Sequence, residues 1–302
     1  MSNSPIALFV YNRPHHTRHT VEALQRNEKS KDSDLFIFSD AARSAHSIPQ
    51  VSAVRDYIAT VTGFKSVRII EREKNLGLAN SVINGVTQLC RDYGKVIVLE
   101  DDLVVAPEFL EYMNLALEKY KDESKVMQIS GYLFPVQLDI KDDALFLPLT
   151  TSWGWATWAR AWNLFDPDAK GYKQLKADKA LRNRFNLDGA YDYFSMLEAQ
   201  LAGKIDSWAI RWYLSAFILK ALTLYPRVSL LTNNGFDGSG THCSTQEIFA
   251  SSGSADGFVS SCFPEIVEVS PAWLTVQSSL KRRSTLFDRA KAKFMALLLA
   301  YK

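Results

Sequence analysis

Short apolar runs alternate with amphipathic stretches through the first 130 residues. Ile6 to Tyr11 has the continuous apolar character of a buried strand, and the positions from about His16 to Arg26 follow as a helix. Leu35-Phe36-Ile37-Phe38 predicts a second strand, ending at Ser39-Asp40. Val51, Val54, Ile58 and Val61 then recur at spacings of three and four, one face of a helix. Val67 to Ile70 gives a third strand, Leu78, Val82, Val86 and Leu89 the stripe of the next helix, and Val96 to Leu99 a fourth strand. After Pro107, a favourable first-turn residue, Phe109, Leu110, Met113, Leu117 and Tyr120 mark another helix. Strand–helix alternation with wholly apolar strands predicts an α/β fold, a central, mainly parallel sheet with helices on both faces.

Beyond residue 130 the pattern loosens. A fifth strand is expected near Val126 to Ile129, then a segment dense in tryptophan at Trp153, Trp155, Trp158 and Trp162. Helices are expected over 188–203 and 208–221 and a strand at Val228 to Leu231. The turn-forming run from Asn233 to Gly240 comes next, and a Ser- and Gly-rich surface loop spans 251–261. Nothing marks a linker or repeat, so 1–245 reads as one unit with a half at 1–130 and a second half at 131–245. A loop and strand are expected over 246–280, and an amphipathic helix over 281–302.

Composition narrows the class. A chain of 302 residues that is 47% hydrophobic and holds seven Trp builds a sizeable core and is not disordered. Lys and Arg number 35 against 33 acids, a net charge of +2 that gives no sign of nucleic-acid binding. Three scattered cysteines, Cys90, Cys243 and Cys262, fit a reduced, cytoplasmic setting rather than a disulfide framework, and no C-x-x-C pair suggests zinc. The first apolar run is too short for a secretory signal, and Lys220 interrupts the one around Phe217 to Leu219, so no spanning helix is expected.

The chemistry concentrates at the ends of the expected strands. Glu100-Asp101-Asp102 follows the fourth, where open α/β sheets bind ligands. Three adjacent carboxylates repel one another unless a cation or positive partner compensates, and hard divalent ions such as Mg2+ or Mn2+ take one or two carboxylates plus substrate phosphates. A solvated acidic turn capping the next helix is the plainer alternative. Asn12-Arg13-Pro14 follows the first strand, Ser39-Asp40 the second, and Asn75-Leu76-Gly77 precedes a helix start where the backbone favours anions. Trp153-Gly154-Trp155 offers aromatic faces suited to sugar rings, although tryptophan is also ordinary core. Asp206 stands beside Trp208, where a carboxylate could deprotonate a hydroxyl or simply cap the helix that starts there; Asp192 and Glu198 stand in reserve. His15, His16 and His19 lack a third partner for zinc and read as a basic helix face.

Taken in order, Tyr11-Asn12-Arg13-Pro14, Ser39-Asp40, Lys74-Asn75-Leu76-Gly77-Leu78-Ala79 and Glu100-Asp101-Asp102-Leu103 resemble the GT-A glycosyltransferases over roughly residues 5 to 245. The likeness is strongest to those with a Glu-Asp-Asp-Leu metal motif, the N-acetylglucosaminyltransferase I type and bacterial family-2-like enzymes, and Val105-Ala106-Pro107 continues it. The resemblance implies a GT-A, Rossmann-like fold and a metal-dependent, inverting transfer of sugar from a nucleotide-sugar donor, a UDP-sugar, to a glycan or glycolipid acceptor. It implies Asp102 as direct ligand of Mn2+ or Mg2+, with Glu100 and Asp101 at the ribose, the uracil or metal-bound water. Arg13 and Asp40 would contact the base, and Asn75 and Gly77 would line the nucleotide pocket. Trp153 and Trp155 would lie beside the sugar, Asp206 would activate the acceptor, and His242 would reach the metal or diphosphate.

Rival classes fare worse. A sugar-phosphate nucleotidyltransferase or a dehydrogenase wants a glycine-rich loop after the first strand, and Tyr11 to His15 contains no glycine. A catalytically inactive nucleotide- or glycan-binding scaffold is disfavoured by the presence of all three acids and Asp206. The tail changes the reading of charge: 281–302 holds seven basic residues against one acid, so the rest of the chain is net negative. A basic, apolar-striped helix there suits an anionic membrane surface, on the inner face of the cytoplasmic membrane, or docks on the body, to which Arg283 on the apolar stripe points.

Overall fold

A computed structural model of the chain describes residues 3–235, 258 and 262–284. The alternation of the first half is realised as β1 (Ile6–Val10), α1 (Pro14–Gln25), β2 (Asp34–Ser39), α2 (Ile48–Ile58), β3 (Ser66–Glu71), α3 (Leu78–Tyr93) and β4 (Lys95–Glu100). A short β5 (Leu103–Val105) then leads to α4 (Phe109–Lys119). The second half contains β6 (Val126–Ser130), β7 (Ala144–Leu147) and β8 (Trp155–Trp158), then α5 (Ala159–Trp162), α6 (Tyr172–Ala177), α7 (Lys179–Phe185) and α8 (Tyr193–Leu201). It closes on α9 (Trp208–Ile218), β9 (Leu222–Pro226) and β10 (Leu231–Asn233). Local chemistry sets several boundaries. Pro14 opens α1 in its first turn. Gly94 closes α3 in the left-handed conformation, at φ +76°, and donates to the Cys90 carbonyl at 2.9 Å.

Eight strands form one sheet in the order β3-β2-β1-β4-β8-β6-β9-β7, and β10 pairs with β5 in a separate ribbon. β3, β2, β1 and β4 are parallel, as are β6 and β9, while β8 and β7 run against their neighbours. The sheet is therefore mainly parallel and flanked by helices, as the sequence predicts. The departure is β8. The tryptophan segment enters the middle of the sheet, with Trp155 opposite Val98 and Trp158 opposite Lys95. Because β1 lies between β2 and β4, the chain reverses its order of strand addition there. A crevice opens at such a switch point, outside the carboxyl ends of the strands. The ends of β1 and β4 carry Arg13 and the acidic triplet.

Two expectations shift. The strand expected at Val228 to Leu231 lies instead at Leu231–Asn233, as β10. In the span 246–280, expected as loop and strand, residues 273–280 are helical, and that helix continues to 284. Its end is docked on the body: Arg283 donates to the Pro135 carbonyl at 3.2 Å and Ser284 Oγ to that of Ala190 at 3.1 Å. The remainder of the basic tail, 285–302, lies outside the described residues. Among the described residues no helix is long and apolar enough to cross a membrane.

α3 lies close against β1 and β2 because Gly85 has no side chain. A Cβ there would stand 2.7 Å from Phe9 Cζ and 3.1 Å from Phe38 Cζ, and those two rings are stacked with centroids 5.0 Å apart. Gly85→Ala is expected to destabilise the fold by about 1–3 kcal/mol, the usual cost of overpacking, as a lower urea midpoint. An unchanged midpoint would mean that α3 shifts freely over the sheet.

Candidate active site

The site forms from two groups of side chains at the carboxyl edge of the sheet. In the first, the Arg13 guanidinium at the start of α1 bridges the acids after β4, with Nη2 on Asp101 and, at 2.9 Å, on Asp102 Oδ2. Asp101 is buried, and Thr20 Oγ1 donates to its carbonyl at 2.8 Å. The indole of Trp208 lies beside the Glu100 carboxyl and favours its charged form. Burial pushes the Glu100 carboxyl up to about 8, with Asp102 and Asp101 adding to the rise and Arg13 and Trp208 opposing it. Asp101 rises to about 6, again chiefly by burial and against the pull of Arg13. Burial works against the charged guanidinium of Arg13, but the two aspartates outweigh it and hold the charge firmly.

One oxygen is left over. Asp102 Oδ1 is buried and has no hydrogen-bond partner among the described residues. An acceptor left so costs about 1–3 kcal/mol and marks a place for an ion or water. It is a hard oxygen at the sheet's ligand crevice, which fits Mg2+ or Mn2+. Among the described residues no three His, Cys, Asp or Glu side chains converge as a cage, and an ion that completes its shell with water and substrate phosphate requires none. The β5–β10 ribbon covers this corner: Asn233 pairs with Leu103, and Asn234 N–H donates to the Asp102 carbonyl at 2.9 Å. His16 Nε2 lies 3.2 Å from the Asn234 carbonyl oxygen, so His16 faces this strap. A Cβ on Gly235 would come within 2.2 Å of Asp102 Oδ2, so the backbone closes directly over the carboxylate. His242, expected near the metal, lies outside the described residues.

The second group is built on Asp40. Its carboxylate accepts from the N–H groups of Ala41 and Leu76 at 2.9 Å, from Gly77 N–H at 3.0 Å and from Asn75 Nδ2 at 3.1 Å. Asn75 Nδ2 also donates to the Ala41 carbonyl at 2.7 Å. Both oxygens of Asp40 are thus committed to fixing the loop before α3. Asp40, expected at a nucleotide base, and Asn75, expected to line the nucleotide pocket, are both hydrogen-bonded within this loop. Gly77 stands at φ +76°, a conformation that side chains resist, and a Cβ there would meet Asp206 Oδ2 at 2.9 Å. Asp206 is exposed, and its Oδ2 accepts from Ala79 N–H at 3.2 Å in the first turn of α3. It does not cap α9. Ser207 does, accepting from Ile210 N–H at 3.4 Å. The plainer role considered for Asp206 therefore belongs to its neighbour.

The tryptophans divide. Trp153 is half-buried and packs edge-on to Tyr132 with centroids 4.8 Å apart. It precedes β8 at the end of the sheet where Glu100 emerges. Trp155, expected beside the sugar, is 0% exposed and stacks on Trp208 at 4.9 Å. It is closed off from solvent and backs Trp208. The reserve acids are occupied as well: Asp192 caps α8, and Glu198 accepts from the Tyr172 hydroxyl at 3.0 Å. Sequence reasoning passed over Trp208, Thr20, Ser207 and Gly235. A hydroxyl just before an apolar helix start is a readable cap signal for Ser207. The other three act across long sequence separations and leave no local signal.

The description "Glycosyl transferase family 2" belongs to the sequence family whose pattern matches residues 6–163. No curated protein matches the chain. Among solved structures, the mannosyltransferase PcManGT from Pyrobaculum calidifontis, in complex with GDP-Man and Mn2+, aligns at 16% identity over 42% of this chain and 35% of its own, with a TM-score of 0.32. TarS of S. aureus aligns at 12% identity over 55% of this chain and 30% of its own, TM-score 0.34. A nucleotide-diphospho-sugar transferase from Desulfovibrio desulfuricans aligns at 16% identity over 55% and 69%, TM-score 0.35. The aligned part spans about a third of the first two proteins.

The raised carboxyls make stability depend on pH. The ordinary values are 3.8 for Asp101 and 4.5 for Glu100, so the folded protein keeps protons that the unfolded chain has released. The contribution is full below those values and is lost as pH rises through about 6 and about 8. In metal-free buffer the thermal midpoint should therefore fall between pH 5.5 and 8.5, and Glu100→Gln should flatten the upper part of that fall. An equally steep fall in the variant would remove Glu100 as its source.

Proposed function

Because the chain belongs to glycosyl transferase family 2, we propose that it moves a sugar from a nucleotide diphosphate donor, a UDP-sugar, to a hydroxyl of a glycan with inversion at the anomeric carbon. The observation that carries this reading is the buried Asp102 Oδ1 at the carboxyl edge of the sheet, which has no hydrogen-bond partner among the described residues. Asp206, whose Oδ2 accepts from Ala79 N–H at 3.2 Å in the first turn of α3, supplies a carboxylate at the same edge of the sheet.

Asp206 accepts the proton of the acceptor hydroxyl. The acceptor oxygen bonds to the anomeric carbon as the bond from that carbon to the phosphate oxygen breaks, and the nucleoside diphosphate leaves with the electron pair. A single in-line displacement inverts the centre. Asp102 would hold Mn2+ or Mg2+, with His242 as a further ligand, and the ion when bound would offset charge on the leaving diphosphate. Glu100 and Asp101 orient the donor's ribose and uracil, the Asp40-braced loop with Gly77 walls the nucleotide pocket, and Trp153 lies against the sugar. The basic segment 281–302 supports an acceptor presented at an anionic membrane surface, a lipid-linked surface polysaccharide on the cytoplasmic side.

Asp102→Asn should lower transfer by at least about a hundredfold, the scale of losing a group that stabilises developing charge, with thermal stability retained. Wild-type turnover in that variant with Mn2+ present would sink the metal assignment. Asp206→Asn keeps an oxygen for Ala79 N–H and should lose about 10²–10⁴ in kcat with donor affinity unchanged by calorimetry. Loss of donor binding instead would assign Asp206 a purely structural role.

A further inference from the structure

We propose that Arg13 is a built-in counter-cation of the acidic cluster that a divalent ion must displace, so that metal binds tightly only in company with the donor's diphosphate. This rests on the reading of Asp102 as metal ligand. The geometry is one of competition: a single guanidinium nitrogen already reaches Asp101 and Asp102 Oδ2, and Asp102 Oδ1 is left without a partner among the described residues. The three side chains are largely shielded, at 17% exposure for Arg13, 5% for Asp101 and 14% for Asp102, so water does little to screen two cations from each other.

Nor is there slack around the pair. A Cβ on Gly235 would stand 3.1 Å from Arg13 Nη1 as well as against Asp102, so the strap encloses both partners. A divalent ion on the Asp102 carboxylate meets a guanidinium bound to that same carboxylate, and each weakens the other's hold. A diphosphate arriving with the ion changes the balance. It adds negative charge, supplies oxygen ligands to the metal, and offers the released guanidinium a bidentate partner of the kind arginine favours. The coupling is reciprocal: nucleotide tightens metal by the factor that metal tightens nucleotide.

The test uses the full chain and measures Mn2+ binding directly, from the electron paramagnetic resonance of free Mn2+, with and without UDP. In the wild type, Mn2+ alone should bind weakly and UDP should tighten it by about tenfold or more. Arg13→Gln should bind Mn2+ alone about tenfold more tightly than wild type, with a smaller further gain from UDP. Arg13→Lys keeps the charge on a shorter side chain that holds the two carboxylates less closely, and it should also tighten Mn2+ binding, by less. If Arg13→Gln tightens Mn2+ while Arg13→Lys matches wild type, only the general field matters and displacement is overturned. If neither variant differs from wild type while Mn2+ with UDP still binds, displacement is overturned and the metal assignment stands. No Mn2+ uptake by any form, with or without UDP, would overturn both. Addition of Asp102→Asn to Arg13→Gln should abolish the gained affinity; its survival would place the ion elsewhere and overturn the proposal.

Discussion

Three carboxyl groups in succession at the end of a buried strand repel one another, and the surrounding structure is arranged around relieving that repulsion. Asp101 is almost wholly enclosed, and Arg13 answers it from the start of α1. Glu100 turns towards Trp208, whose indole can donate but brings no charge. Burial adds its own cost to the charged forms, and it is chiefly this that makes both carboxyls hold their protons more tightly than in water. A fold that needed only stability would place apolar residues here, since a buried charged group is rarely a net gain. The arrangement makes sense as readiness for charge that arrives from outside.

The second requirement is shape. Asp40 commits its whole carboxylate to the backbone of Leu76 and Gly77 and the amide of Asn75, so the entrance to α3 is fixed before any ligand comes. That in turn makes room for Asp206, which reaches the first turn of α3 only because Gly77 has no Cβ. The residues expected to touch a nucleotide thus fall into those that face the crevice and those that hold its wall. Position in a motif does not separate them; hydrogen-bond accounting does.

The first four strands and the helices between them were legible because each buried strand is a continuous apolar run and each helix has an apolar stripe. The acidic triplet was legible for the same reason, since its place after β4 follows from that run. What escaped was set by distant partners or by unusual backbone. β8 contains two tryptophans and was read as a motif, because nothing local says that Trp155 pairs with Val98. β9 was masked by α9: the helix reads on to 221, yet Lys220 breaks it at φ +53°, a conformation for which the sequence would lead one to expect glycine. Sequence does not separate the roles of Trp155 because aromatic residues serve core and ligand alike, and its complete burial is visible only in the fold. Ser207, by contrast, is a cap that sequence alone can signal, a hydroxyl directly before an apolar helix start.

The insertion of β8 has a mechanical consequence. This strand is laddered to β4 on one side and to β6 on the other, so the two halves of the molecule share a backbone network instead of meeting across a hinge. The spacing between whatever each half binds is then held by inter-strand backbone hydrogen bonds, which do not bend as a linker does. Such a molecule melts as one cooperative body, and its selectivity is open to change by exchanging the loops at the strand ends while the ladder beneath stays as it is.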